Sequence, residues 1–397
     1  MSIARGYWKR KTYSEVQRGK AVEKYRNMVG ESLRTYAVGL FSKRAGTATR
    51  PYRYGHLRKS CPIEKILYFS VSSVDNIQNK RKGVRMRGMI TYLRLKQHPS
   101  VFLKMTGLRP NEFDQLLTDL LPRFVQAEAH RLERTERQRA PGGGDKPNLP
   151  APEQILLTVM WLRLYPTHAV LGFLLGVSQP TVGRYIGHVL PVLERAGRDT
   201  MRMPDPGRKR RRSLPALLKD VPERAVVVDT FEQPVQRPKR AADRAGWYSG
   251  KKRSHTMKTQ VTVQEDTGWI ADIGDSVQGR SADITLLRQS GMLDQLPPDV
   301  ACLGDTAYQG IAKLHPLGRS PYKRLGRNAP PLTDDQIAYN HAFASRRIIV
   351  ENTINRMRAY QCLTQRDRQH RCQRSHHART CAVAGLVNRQ LHHRLAL

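Results

Sequence analysis

The 397-residue sequence is short of acid, of cysteine and of long apolar runs. Asp and Glu number 33 against 69 Lys and Arg, which leaves a formal net charge of +36. Such an excess needs anionic compensation, and nucleic acid or an acidic membrane surface would supply it. The longest apolar run, Ala169 to Val177, holds nine residues, two of them glycine, well short of the roughly 18 a membrane-spanning helix needs. The start leads from Met1 to Arg5 straight into Trp8-Lys9-Arg10-Lys11, without the apolar centre of a signal peptide. Membrane and secretory classes are set aside, and a cytoplasmic protein is expected.

The five cysteines, Cys61, Cys302, Cys362, Cys372 and Cys381, are odd in number and irregularly spaced, which predicts reduced thiols. Cys372, His376, His377 and Cys381 form the tightest metal-like cluster. Pairs at i,i+4 on one helix do not bring four ligands into a tetrahedron. The expected structure there is a solvated basic helix with two small buried thiols.

What is present is enough for a folded chain: 39% apolar residues and 29 Gly match a globular composition. Residues 1–88 stand apart, with 21 Lys or Arg against five acids and seven of the 15 Tyr. Weak apolar periodicity predicts a basic, disordered extension, or a start chosen too far upstream with initiation at Met86 or Met89. A basic, aromatic arm on nucleic acid is the other reading. From 89 to 200 the pattern is helical. Arg109-Pro-Asn111 opens a helix with Phe113, Leu116, Leu117 and Leu120 on one side, and Pro152 to Leu164 reads as a buried helix.

Thr167 to Val189 carries the signal of a helix-turn-helix. Gly172 allows the helices to cross, Gly176 makes the turn, Ser178 caps the second helix, and Val182, Ile186 and Val189 form its apolar side. Gln179, Thr181, Arg184 and His188 are then left for DNA. Residues 201–222 form a basic linker with five consecutive cations, Arg208 to Arg212.

Residues 223–397 alternate strand and helix. Ala225 to Asp229 is an apolar strand ending in a carboxylate. Met257 to Gln264 and Trp269 to Val277 form a hairpin around Glu265-Asp-Thr-Gly268. A helix is expected from Ser281 to Gln289, a strand from Val300 to Asp305, and a long helix capped at Leu332 to Asp335. Antiparallel strands followed by a helix and a parallel strand predict an α/β catalytic domain, a ribonuclease H-like mixed sheet with flanking helices, preceded by the all-α helix-turn-helix domain.

That order places Asp229 and Asp305 at the ends of neighbouring strands. Glu351 lies on a helix whose core stripe is Val350, Ile354 and Met357 and whose polar side carries Arg347, Glu351, Asn355 and Arg358. Three converging carboxylates are hard oxygen ligands for two Mg²⁺ ions, the arrangement that drives phosphodiester transfer. The basic turn Lys251, Lys252 and Arg253 is a candidate for DNA phosphates, and Asp283 for assisting metal or DNA positioning.

Val228 to Pro238 and Trp247 to Lys258 resemble the catalytic domain of DDE transposases, nearest the insertion-sequence-5 family and its Harbinger-like relatives. Gly279-Arg-Ser-Ala-Asp283 resembles that group's Gly-Ser-x-His-Asp element, with Ala282 in place of His. Gly304-Asp-Thr-Ala-Tyr-Gln-Gly310 resembles its second-aspartate motif, and Leu332-Thr, Asn340 and Ser345 to Glu351 its third. A related Tyr-x2-Arg-x3-Glu-x6-Lys signature is met at Arg347, Glu351 and, as arginine, Arg358; Ala344 occupies the tyrosine position. The resemblance runs from about Met89 to Leu391. It implies that Asp229, Asp305 and Glu351 are catalytic and bind Mg²⁺, with Mn²⁺ able to substitute. The expected protein cuts and joins double-stranded DNA at terminal inverted repeats, acts as a homodimer or larger assembly on DNA, and associates with the bacterial nucleoid. The rival is a non-catalytic DNA-binding regulator descended from such an enzyme. A repair or RNA-processing nuclease would differ in cutting without joining.

Overall fold

The computed structural model describes residues 88–133, 147–204, 224–324, 326, 328–369 and 372–395. The basic extension up to residue 87 and the cationic run Arg208 to Arg212 lie outside the described residues. The described residues within 88–127 and 151–395 form one compact unit.

Its helical part begins with α1 (Tyr92–Lys96), capped by the Thr91 hydroxyl, and α2 (Pro99–Thr106), which ends where Gly107 turns left-handed at φ 79°. The longer α3 (Pro110–Leu132) buries Phe113, Leu116, Leu117 and Leu120, as its spacing predicts. Helix α4 (Ala151–Leu164) is buried from Pro152 to Leu162. A helix apolar on every side belongs at the centre of a packed body, and α4 occupies that place.

Helices α5 (His168–Leu175) and α6 (Gln179–Arg198) make the helix-turn-helix. Thr167 caps the first, and Gly176 ends it in the left-handed region at φ 71°, where its N–H donates to the Gly172 carbonyl. A Cβ on Gly172 would lie 2.5 Å from the Val177 carbonyl oxygen. The crossing therefore requires glycine there, and Val182, Ile186 and Val189 are buried beneath it.

The catalytic-type region is a mixed sheet of seven strands: β1 (Ala225–Pro234), β2 (Tyr248–Ser249), β3 (Ser254–Gln264), β4 (Ile270–Ile273), β5 (Val277–Gln278), β6 (Ala301–Leu303) and β7 (Gly318–Arg319). The order is β2-β3-β1-β6-β7, with β4 and β5 also pairing with β3. β1 runs antiparallel to β3 and parallel to β6. Short helices α7 (Ala241–Trp247), α8 (Asp283–Gln289) and α9 (Met292–Gln295) connect the strands. The long α10 (Asp334–Arg358) and the last helix, α11 (Gln373–Leu395), pack on the sheet. This is the ribonuclease H-like mixed sheet with flanking helices that the element order predicts.

Two readings are corrected. The expected strand from Trp269 to Val277 is split into β4 and β5, because Gly274 leaves the ladder and donates its N–H to Gln260. Helix α11 is not a solvated basic helix: His376, Arg379, Thr380 and Asn388 are fully buried. Its polar groups find partners inside. Arg379 lies 2.9 Å from Asp367, both completely buried, His376 Nδ1 lies 2.7 Å from Ser276 Oγ, and Asn388 bonds both Ile270 backbone groups. Burial of polar groups is tolerated when they are paired in this way. Cys372 is exposed ahead of the helix, while Cys381 is buried beside His377.

Helix α6 continues from the helix-turn-helix onto α11. A Cβ on Gly385 would fall 2.3 Å from the Gly197 Cα, and one on Gly197 would fall 2.3 Å from the Cys381 carbonyl oxygen. The paired glycines let the two backbones touch.

Candidate active site

The register of the central strands sets the site. β1 and β6 pair in parallel through Val227 and Leu303, and the carboxylates stand two residues further along each chain, at the same level. Side chains alternate across a strand. Val226 and Val228 enter the core with Leu287, Met292 and Cys302 on one face, which sends Asp229 to the other, toward α10.

Helix α10 is held in a fixed rotation by its neighbours. Thr333 and Gln336 form a capping box at its start, satisfying two otherwise orphaned N–H groups. Arg346 is buried and donates to both oxygens of Glu265, at 2.8 and 2.6 Å. Val350, Ile354 and Met357 form the buried stripe that the spacing predicts. With Arg346 turned inward, the next residue, Arg347, reaches the site, its Nη2 3.5 Å from Asp229 Oδ2.

Asp229 also accepts from the Thr230 N–H at 2.7 Å through Oδ1. Burial nevertheless pushes its carboxyl up to about 6, and the nearby Asp305 and Asp283 add to the rise against the opposing pull of Thr230 and Arg347. Asp305 starts a short 3-10 turn, Thr306–Tyr308, and its Oδ1 accepts from the Ala307 N–H at 2.8 Å.

A second polar link lies beside the pair. Glu232 and Lys258 are register partners on β1 and β3. Lys258 is buried, 2.8 Å from Asp283 Oδ1 and from the Ser281 carbonyl, and 3.9 Å from Glu232. Opposite charges facing each other across two strands are the sequence signal that would have found this link.

The donor chemistry suits a hard divalent cation at Asp229 and Asp305: two oxygen ligands at one level, with unbalanced negative charge around them. Glu351 lies one turn beyond Arg347 on the same side of α10 and is exposed. Among the described residues no three His, Cys, Asp or Glu side chains are gathered closely enough to hold a metal ion together. The structure thus brings Asp229 and Asp305 together and leaves Glu351 on the facing helix.

The surface candidates divide. Gln179 and Arg184 are exposed on α6, and His188 is half-buried. Thr181 is buried; its hydroxyl lies 2.8 Å from Ser178 Oγ and accepts from Arg184 Nη2 at 3.1 Å. Lys251, Lys252 and Arg253 are exposed in the β2–β3 turn, at the end of the sheet where β1 finishes. Arg358 is exposed at the end of α10.

Comparison with known proteins agrees with this geometry. Residues 228–388 match the model of the DDE superfamily endonuclease family, and residues 147–199 match the helix-turn-helix of DDE superfamily endonuclease. The chain is 29% identical over 248 residues to the "Probable transposase for insertion sequence element IS702" of Microchaete diplosiphon, covering 62% of this chain and 83% of that protein. No solved structure matches it. The sheet region and the helix-turn-helix each match a model of one superfamily, and together these findings support a transposase-like DDE endonuclease with a helix-turn-helix DNA-binding domain.

Proposed function

We propose that this protein is the transposase of an insertion sequence, that it binds the element's terminal inverted repeats, and that it cleaves and rejoins DNA strands there. The observation that carries the reading is the level pairing of Asp229 and Asp305 on parallel neighbours, with Arg347 3.5 Å from Asp229. DDE superfamily endonucleases generally use divalent metal ions, and Asp229, Asp305 and Glu351 would hold two Mg²⁺ ions, or Mn²⁺ in their place. Bound there, the ions would supply an activated water or 3′-hydroxyl and stabilise the leaving oxygen.

The protein's own residues do the rest. Arg347 offsets the negative charge of the carboxylates and then of the phosphate that meets them. Arg358 and the turn Lys251, Lys252 and Arg253 hold the duplex by its phosphates. Gln179, Arg184 and His188 lie where α6 would enter the major groove, and buried Thr181 sets the Arg184 guanidinium. Two ends must be cut together, so the working form is a homodimer or larger assembly on double-stranded DNA, within the bacterial nucleoid. The motifs around the three acids support membership of the insertion-sequence-5 group.

The test incubates the protein and Mg²⁺ with a labelled terminal-repeat duplex and a target plasmid. Nicked ends and joined products are expected from the wild type, and neither from Asp229→Asn. If Asp229→Asn cuts as fast as the wild type, the site is wrong. Binding without any cutting would instead favour a regulator.

A further inference from the structure

We propose that Arg346 and Glu265 are positioning residues of the site: their buried ion pair sets the rotation of α10 about its own axis, and so aims Arg347 and Glu351 at the aspartates. The inference rests on reading Asp229, Asp305 and Glu351 as the site.

Three stripes run along the second half of α10. Arg346, Ile349 and Thr353, at i, i+3 and i+7, meet the β3–β4 hairpin. Arg346 forks onto both oxygens of Glu265, and Thr353 Oγ1 donates to the Gly268 carbonyl at 3.1 Å. A Cβ on Gly268 would lie 3.2 Å from Ile349 Cδ1. Val350, Ile354 and Met357 form the core stripe, and Arg347, Glu351 and Arg358 follow beyond it. Successive residues of a helix point about 100° apart. A roll that takes Arg346 from Glu265 therefore takes Arg347 from Asp229.

The apolar stripe alone does not fix that roll. Contacts among Val350, Ile354, Met357 and the sheet are non-directional, whereas a bidentate arginine–carboxylate pair holds one geometry. Glu265 is itself a fixed reference. It directly follows β3, and its N–H donates at 3.0 Å to the carbonyl of Ala225, the first residue of β1. Helix α10 is tied to β1 twice, through Arg346 and Glu265 to Ala225, and through Arg347 to Asp229.

The pair is poorly suited to stabilising the fold. Its side chains are 3% and 5% exposed, and withdrawing two charges from water offsets most of their attraction. Arg346 Nη1 is buried and has no hydrogen-bond partner among the described residues. What the pair adds over an apolar contact of the same volume is direction.

The experiment uses the full-length wild type, the double variant Glu265→Leu/Arg346→Met, Arg347→Ala, the triple variant that combines them, and Asp229→Asn. Replacing both partners by apolar residues leaves no charge buried alone. The thermal midpoint without metal, affinity for a terminal-repeat duplex, and single-turnover cleavage with Mg²⁺ at saturating protein are measured. The double variant should keep the wild-type midpoint and duplex affinity yet cleave about 10²-fold more slowly, the cost of a displaced group. Adding Arg347→Ala to it should cost much less than the same change in the wild type, because that guanidinium is already out of place. Wild-type cleavage by the double variant overturns the proposal. A lowered midpoint or weakened duplex binding also overturns it, since the pair would then serve the fold, and so does an undiminished loss from Arg347→Ala. If Asp229→Asn cuts as fast as the wild type, the site reading fails and this inference with it. If Asp229→Asn is inactive while the double variant cuts normally, this inference alone fails.

Discussion

Arg347 stands 3.5 Å from Asp229, joining the long helix α10 to the central strand of the sheet. Both side chains are mostly withdrawn from water, at 13% and 21% exposure, so the pair is poorly screened. Arg347→Ala is expected to slow DNA cleavage about 10²-fold, the usual loss for a buried donor aimed at developing charge. Duplex affinity should fall far less. Arg347→Lys should restore only part of the rate, since it keeps the charge and loses the fork. Equal losses in binding and cleavage would place Arg347 on the DNA alone.

On α6, Arg184 is exposed and Thr181 lies buried beneath it as its hydrogen-bond acceptor. Arg184→Ala should weaken binding to terminal-repeat DNA by about 1–3 kcal/mol if it reads a base, or lower the salt slope by about one if it holds a phosphate. Thr181→Val keeps the shape and removes the anchor, so its loss should be smaller. Fluorescence anisotropy over a salt series separates these outcomes, and a larger effect at Thr181 would contradict the arrangement.

Glu153 supplies a pH test far from the sheet. One carboxyl oxygen accepts the Tyr92 N–H at 2.8 Å, the other has no hydrogen-bond partner among the described residues, and burial pushes the group up to about 7. A carboxyl whose pKa is higher in the native state is bound to its proton more tightly there. Its favourable contribution is therefore complete at low pH and lost as pH rises toward and through 7. Glu153→Gln should raise stability at pH 8 by about 1–3 kcal/mol and change little at pH 5. Urea denaturation at the two pH values checks this, and an equal gain at both would refute the cause.

The contact of Gly197 with Gly385 predicts intolerance to a single methyl group. Gly385→Ala should cost about 1–3 kcal/mol or more, because two helix backbones must separate. The double variant with Gly197→Ala should cost less than the two single losses combined, since one separation serves both. Thermal denaturation unchanged by Gly385→Ala would mean that the helices are not in backbone contact.

Much of this arrangement is legible in the sequence because its signals are local. Gly172, Gly176 and Ser178 mark the helix-turn-helix within a few residues, and Thr333 announces α10. Asp229 and Asp305 are marked by short apolar runs that stop at an acid, although β1 does not end there but continues to Pro234, and β6 closes at Leu303, before Asp305. What is not legible depends on distant partners. The His- and Arg-rich α11 looks solvated because His376 and Asn388 find their partners about a hundred residues away or more, in Ser276 and Ile270. Arg346 and Arg347 are adjacent and chemically identical, and only the packing of α10 shows that one serves Glu265 and the other Asp229. Glu351 is the reverse case, named by its motif while its side chain stays exposed.

Helix α6 has a consequence for how a bound duplex would meet the sheet. Its 20 residues make a strut about 30 Å long. The first turns carry Gln179 and Arg184 at the surface, and the last are locked to α11 through Gly197. Thr200, just beyond, accepts the Trp269 indole N–H at 2.8 Å, so the strut is anchored in the sheet's own hairpin. DNA gripped at the far end would be presented to Asp229 at one distance and one angle. The interval between the sequence recognised and the bond attacked would then be a ruler cut to the length of a single helix.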